Sequence, residues 1–153
     1  MHGRPAQFLK ESLLVNLYVI VLLCFADNIL LVRRCSQSFA RGLYSIIGGK
    51  VEHGETALQA IKREVLEETT LNIPESDFEL VHTFHRKGIE EDLIALCFKV
   101  DISNMATPIN NEPDKHDDMR FFKVNQLPGN IIPAHKQAIE CIQQNIRYSE
   151  HGW

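Results

Sequence analysis

The chain has 153 residues, a formal net charge of −4, 44% hydrophobic residues and 24% charged ones. That balance belongs to a globular protein with its own core, not to a disordered chain, and the length fits one domain over residues 1–153. The acidic surplus excludes the basic surface that grips a nucleic-acid polymer, so an anionic ligand would have to meet local Arg, Lys or a metal.

Four cysteines (Cys24, Cys35, Cys97 and Cys141) form no Cys-x-x-Cys pair. Their scatter argues against a disulfide framework and a cysteine zinc site, and for a reducing, cytoplasmic compartment. The run Leu13–Phe25 is interrupted by Asn16 and falls short of the roughly 18–20 apolar residues of a membrane span. Asp27-Asn28 follows, with no small-residue cleavage pattern, and then the apolar run Ile29–Val32 ends in Arg33-Arg34. Strand, turn, strand accounts for this region, with no membrane segment.

A third strand is expected at Leu43–Ile47. Next, Thr56-Ala-Leu-Gln59 is a capping-box pattern that opens a helix running to about Thr69, with Ala57, Leu58, Ile61 and Val65 on one side. Strands are expected at Phe78–Phe84 and Leu93–Val100, joined at a Lys87-Gly88 turn, and at Met119–Val124. Pro133 suits the first turn of a second helix that lines up Ala138, Ile139, Ile142 and Ile146. The nearly continuous apolar strands imply cover on both sides, hence an α+β fold with a mixed sheet and a helix against each face.

The chemistry concentrates in Gly48-Gly-Lys-Val-Glu-His-Gly-Glu-Thr56 and the helix carrying Arg63-Glu-Val-Leu-Glu-Glu68. At roughly 100° per residue, Glu64, Glu67 and Glu68 share a stripe that borders the apolar arc. Like charges at that spacing repel, and a hard divalent cation would relieve them. Taken alone, the three glutamates read as a solvated acidic face with Lys62 and Arg63 as partners, and Gly-Gly reads as a turn. In register they bring a loop with accessible backbone carbonyls to a helix with three carboxylates.

Gly49, Glu55 and Arg63-Glu64-Val65-Leu66-Glu67-Glu68, with Leu71, stand at the spacing of the Nudix box, and the chain resembles the Nudix (MutT-like) hydrolases. Length and element order match a minimal Nudix domain, an α/β/α sandwich. Two positions depart from the box: Thr70 replaces its glycine after the paired glutamates, and Ile47 replaces a common proline. A β-branched Thr disfavours the left-handed helix cap a glycine would make, so the helix is expected to end differently.

The resemblance implies that Glu64, Glu67 and Glu68, with the Gly49 carbonyl, ligate Mg²⁺ or Mn²⁺. It implies that Arg63 orients the box carboxylates, that Glu55 supports the loop, and that Glu112 reaches the metals or the attacking water. Asp92, Asp117 and Asp118 compete for the role of Glu112. A phosphate-contacting arginine is expected at Arg34 or, on the opposite strand face, Arg33. His135 matches the place of a base-contacting side chain, and Arg86 ends a strand where it could meet substrate.

The implied reaction is hydrolysis of a nucleoside diphosphate linked to a moiety X. A nucleoside triphosphate or oxidised analogue leads, and a nucleotide sugar or ADP-ribose, or a non-catalytic nucleotide sensor, are the alternatives. ADP-ribose-directed relatives often carry a proline where this chain has Lys87. His82 and His85 stand at a strand spacing that faces opposite sides, so no metal pair is expected. Phe121-Phe122 are expected in the core, and the aromatic tail Tyr148–Trp153 to dock on the body or on a second subunit of a homodimer.

Overall fold

Strand β1 (Val15–Phe25) is the spine of a seven-stranded mixed sheet in the computed structural model, which describes residues 13–37 and 40–153. The other strands of the sheet are β2 (Asn28–Arg34), β3 (Tyr44–Lys50), β4 (Glu79–Arg86), β5 (Asp92–Asp101), β6 (His116–Lys123) and β7 (Tyr148–His151). The strand order is β6-β2-β3-β1-β5-β4-β7, with β1 also meeting β2 through their tight turn. β1 runs parallel to β5 and β4 parallel to β7, while the remaining pairs are antiparallel.

Alternation along β1 distributes its continuous apolar run between two cores. Val19, Val21 and Leu23 face helix α1 (Ala57–Thr69), which buries Ala60, Ile61 and Val65 against them. Ile20 and Leu22 face helix α2 (Pro133–Gln143), which contributes Ala134, Ala138, Ile139 and Ile142. The expected helix on each face of a mixed sheet is therefore present. Both capping-box bonds form: Gln59 N–H donates to Thr56 Oγ1 at 3.1 Å, and Thr56 N–H to Gln59 Oε1 at 2.9 Å.

The end of α1 departs from expectation. Thr70 adopts the left-handed conformation after all (φ 67°, ψ −1°), and its N–H reaches Leu66 O at 3.0 Å. The reversal sends Leu71 and Ile73 into the α1-side core. Burying such side chains contributes about 1.5–3 kcal/mol each, which exceeds the ~1–2 kcal/mol penalty of the conformation. Tertiary burial overrides the local preference.

Helix α2 is shorter than its apolar periodicity suggests. Asn145 turns left-handed (φ 57°), so Ile146 leaves the helix face and is exposed, and its carbonyl bonds the buried His82 at 2.7 Å. The reversed chain becomes β7, a strand absent from the sequence reading because Tyr-Ser-Glu-His carries no apolar alternation. The tail thus docks on its own body, at the edge of β4. The Lys87-Gly88 turn is longer than a two-residue hairpin, since residues 87–91 all lie between β4 and β5. Phe122 packs edge-on to Tyr44 in the α2-side core, whereas Phe121 is outward and contacts Phe25. All four cysteines are free thiols, and among the described residues no helix is long and apolar enough to cross a membrane.

Candidate active site

The end of β3 lies under the first turns of α1, and two glycines permit the approach. A Cβ on Gly48 would stand 2.1 Å from Val19 O, and one on Gly49 2.2 Å from Glu64 Oε1. Gly49 is therefore where the Glu64 carboxylate lies directly on the backbone. Arg63 holds this corner. Its Nη2 and Nε donate to Glu55 at 2.8 and 3.1 Å, its Nη1 to Glu64 at 3.0 Å and Glu67 at 3.3 Å, and Nη2 also reaches Lys50 O at 3.3 Å. Glu55 in turn accepts from Glu52 N–H at 2.8 Å, closing the loop on itself. The Arg63 guanidinium draws the Glu55 carboxyl below its ordinary range, and these charge-assisted bonds are the strong kind.

The three stripe glutamates are not equivalent. Side-chain exposure is 13% for Glu64 and 49% for Glu67, and Glu68 is 6% exposed. Burial raises the Glu68 carboxyl well above the ordinary range, and neighbouring Glu64 and Glu112 reinforce this against the pull of Arg34. Burial also raises Glu64, which shares a hydrogen bond with Glu68 while Arg63 opposes the shift. Glu67 leans outward to Arg63.

The connection before β6 brings Glu112 to this corner. Ile109 N–H donates to Thr69 O at 3.0 Å and Asn111 N–H to Glu68 O at 3.1 Å, while the Asn111 side chain caps Glu67 O at 2.9 Å. The orphan carbonyls at the end of α1 thereby fix the loop. Glu112 ion-pairs with Lys115 at 2.7 Å and lies close enough to influence Glu68. Its competitors have other partners: Asp117 pairs with Arg33, Asp118 with Tyr44 and Arg120, and Asp92 with the Gly88 N–H. The side chains of Asn110 and Asn111, beside Glu112, both tie the loop to neighbouring backbone, on His116 O and Glu67 O. Sequence reasoning passed over His116, which is buried below Glu112, its N–H on Glu112 O at 3.0 Å and its Nδ1 without a partner.

Among the described residues no three His, Cys, Asp or Glu side chains form a ready-made metal cage. The donor chemistry nevertheless fits a hard cation. Glu64 and Glu68 crowd together, and Glu68 has no ion pair among the described residues. Mg²⁺ sites typically use one or two carboxylates completed by water and substrate phosphates, and do not need an all-protein cage.

Beside this corner opens a cavity of about 690 Å³, walled by Tyr18, Ile20, Ile46, Phe84, Leu93 and Ile132 with Gly48 and Gly49 at its floor. Arg34, Arg86 and His135 all line it. β6 carries an extra residue, Asp117, opposite the Arg33–Arg34 step, and the Arg34 Nε is buried without a partner among the described residues. Arg33 is corrected by the same bulge: it does not line the cavity but pairs with Asp117 at 2.7 Å beside Tyr44. His135 is no surface residue. Its Nδ1 accepts the Ile46 N–H at 3.0 Å, which leaves the proton on Nε2, and burial pushes its pKa down to about 3. His82 and His85 have separate partners and do not converge.

The NUDIX domain family profile matches residues 15–144. The chain is 30% identical over 141 residues to the oxidized purine nucleoside triphosphate hydrolase of Mus musculus, covering 89% of this chain and 85% of that one. It is 34% identical over 106 residues to the ADP-ribose pyrophosphatase of Methanocaldococcus jannaschii, covering 67% of this chain and 58% of that enzyme. The MutT NUDIX hydrolase of Burkholderia pseudomallei superposes with a TM-score of 0.75 at 22% identity, over 83% of this chain and 97% of that one. The box residues thus fold as their spacing implies, in the sheet-and-two-helix frame of those structures, and the chain belongs to the Nudix family as a MutT-like pyrophosphohydrolase.

Proposed function

We propose that the chain is a Mg²⁺-dependent hydrolase of nucleoside triphosphates or their oxidised purine analogues, releasing a nucleoside monophosphate and pyrophosphate. The observation that carries this reading is the pair of buried Glu68 and half-buried Glu64, next to Gly49, opening on an apolar cavity edged by Arg34 and Arg86. The base occupies the cavity, where Tyr18 and Phe84 offer aromatic faces and His135 offers its Nε2–H to an acceptor on the base. The Arg34 guanidinium contacts the phosphates through its unpartnered Nε.

Glu64 and Glu68 would hold Mg²⁺ (or Mn²⁺), with Glu67 and the Gly49 carbonyl as further donors, and Arg63 with Glu55 keeps Glu64 in place. A divalent ion held there would supply neutralisation of phosphate charge and a lowered pKa for water. Glu112 takes the proton of the water that attacks one phosphorus, and the bridging P–O bond breaks with its electron pair leaving on the pyrophosphate. A sensor without catalysis would not need this set of carboxylates. The similarity to the archaeal ADP-ribose pyrophosphatase supports a second reading, with ADP-ribose cleaved to AMP and ribose 5-phosphate.

Incubation with dGTP, an oxidised purine triphosphate and ADP-ribose, each with Mg²⁺, followed by mass identification of products, tests both. Monophosphate plus pyrophosphate supports the first reading. AMP plus ribose 5-phosphate alone replaces it with the second, and no turnover of any substrate refutes both.

A further inference from the structure

The outer wall of the cavity is the 87–91 connection between β4 and β5, from which Lys87, Gly88, Ile89 and Glu90 all line the opening. The tip of this wall carries no buried apolar anchor, since Ile89 is fully exposed (105%). Its second half is tied to the sheet, by Gly88 N–H on the Asp92 carboxylate at the start of β5 at 3.3 Å and by the Asn16 side-chain amide of β1 on the Glu91 carboxylate. Its first half is held from β7 and the residues that follow it. β7 is fixed to the body by its pairing with β4, by His82 on Ser149 Oγ at 2.8 Å and by Gln137 on Glu150 O at 2.8 Å. From that base, His151 O accepts the Lys87 N–H at 2.9 Å, and Gly152 (φ +84°) turns the chain against Lys87. Trp153 then closes on the root of the connection. Its Nε1–H donates to His85 O at 3.2 Å, its ring meets the His85 ring edge-on at 4.7 Å, and the Lys87 ammonium lies 5.5 Å from its centroid.

We propose that Trp153 is a positioning residue that clamps the 87–91 connection in place as the preformed outer wall of the substrate cavity. A hydrogen bond and a ring contact on His85 near the end of β4, and a cation–π contact on Lys87 at the start of the connection, converge at its root from a side chain that is itself 62% exposed and adds little to either core. An exposed aromatic held this way stabilises the local arrangement it touches more than the global fold. Its consequence for catalysis rests on the proposed function: loosening the wall lowers the fraction of binding-competent molecules and raises KM, while the chemical step at Glu64, Glu68 and Glu112 is untouched.

The test compares the full chain with Trp153→Ala and Trp153→Phe by hydrogen-exchange mass spectrometry without ligand, by melting, and by dGTP kinetics with Mg²⁺. Trp153→Ala should speed exchange across 87–91 about tenfold, with exchange in β1 and α1 and the melting temperature unchanged. KM should rise about three- to tenfold with kcat within about twofold. Trp153→Phe keeps the ring contacts without the Nε1–H and should recover part of both effects. Unchanged exchange at 87–91 overturns the clamp, and so does faster exchange spread over the whole chain. Faster local exchange with an unchanged KM overturns the wall's part in substrate binding. If the unsubstituted chain hydrolyses neither dGTP nor an oxidised purine triphosphate, the triphosphate reading fails, and the exchange pattern alone decides the clamp.

Discussion

Gly48 and Gly49 are adjacent, both lie in β3, and neither has a positive φ, yet replacing each by alanine should have opposite consequences. A Cβ at Gly48 meets fixed backbone, with Val19 O at 2.1 Å and Ile20 Cα at 2.8 Å. β1 and β3 would have to separate, and overpacking of that kind costs about 1–3 kcal/mol. A Cβ at Gly49 meets only the end of a side chain, with Glu64 Oε1 at 2.2 Å and Cδ at 2.5 Å. The carboxylate can rotate away, so the fold survives, but it must retreat by more than ~1 Å to reach ordinary contact distance. A misplacement of about 1 Å at a reacting centre costs on the order of 10²-fold in rate. Gly48→Ala should thus lower the melting temperature by several degrees, and Gly49→Ala should leave it within about 2 °C while kcat/KM falls about 10²-fold. The assay is a melting curve beside Mg²⁺-supported hydrolysis of dGTP on the same preparations. Full activity in Gly49→Ala, or equal destabilisation by both variants, would refute the placement of Glu64 against Gly49.

Glu68→Gln removes one member of the crowded pair, so it should melt no lower than the parent without Mg²⁺. The parent should gain about 2.7 kcal/mol at a Mg²⁺ concentration of 100 Kd, and a Mg²⁺-dependent shift that survives in Glu68→Gln would place the ion elsewhere. Glu112→Gln should lower kcat and kcat/KM together by about 10²–10⁴-fold with little change in KM; a change in KM alone would make Glu112 a positioner. The His135 pKa is depressed in the fold, so its contribution is present above the unfolded value near 6.5 and is lost as pH falls. Stability should drop by up to about 2 kcal/mol between pH 6.5 and 5, with His116 acting in the same direction, and a smaller slope in His135→Phe checks the assignment. Thr70→Gly relieves the left-handed residue and should stabilise the chain by up to about 1 kcal/mol, read as a higher denaturant midpoint at unchanged slope.

The sequence determined whatever depends on short-range spacing. The capping box at Thr56–Gln59, the common stripe of Glu64, Glu67 and Glu68, and the two-faced burial of Val19–Leu23 follow from helix and strand periodicity, and all are present. Tertiary structure decided what depends on the neighbours of each residue. One stripe became a buried Glu68 and an exposed Glu67 because only one side of α1 meets the docked Asn110–Glu112 loop. Arg34 lines the cavity while Arg33 is taken up by Asp117, the extra residue of β6 at this step, a pairing between residues far apart in the chain. Thr70 took a glycine's conformation because Leu71 and Ile73 had a core to enter. β7 formed from residues with no strand signal because the edge of β4 supplied hydrogen-bond partners that a local pattern cannot reveal. Periodicity is a property of the chain, whereas burial and register belong to the pairs of segments that meet only after folding.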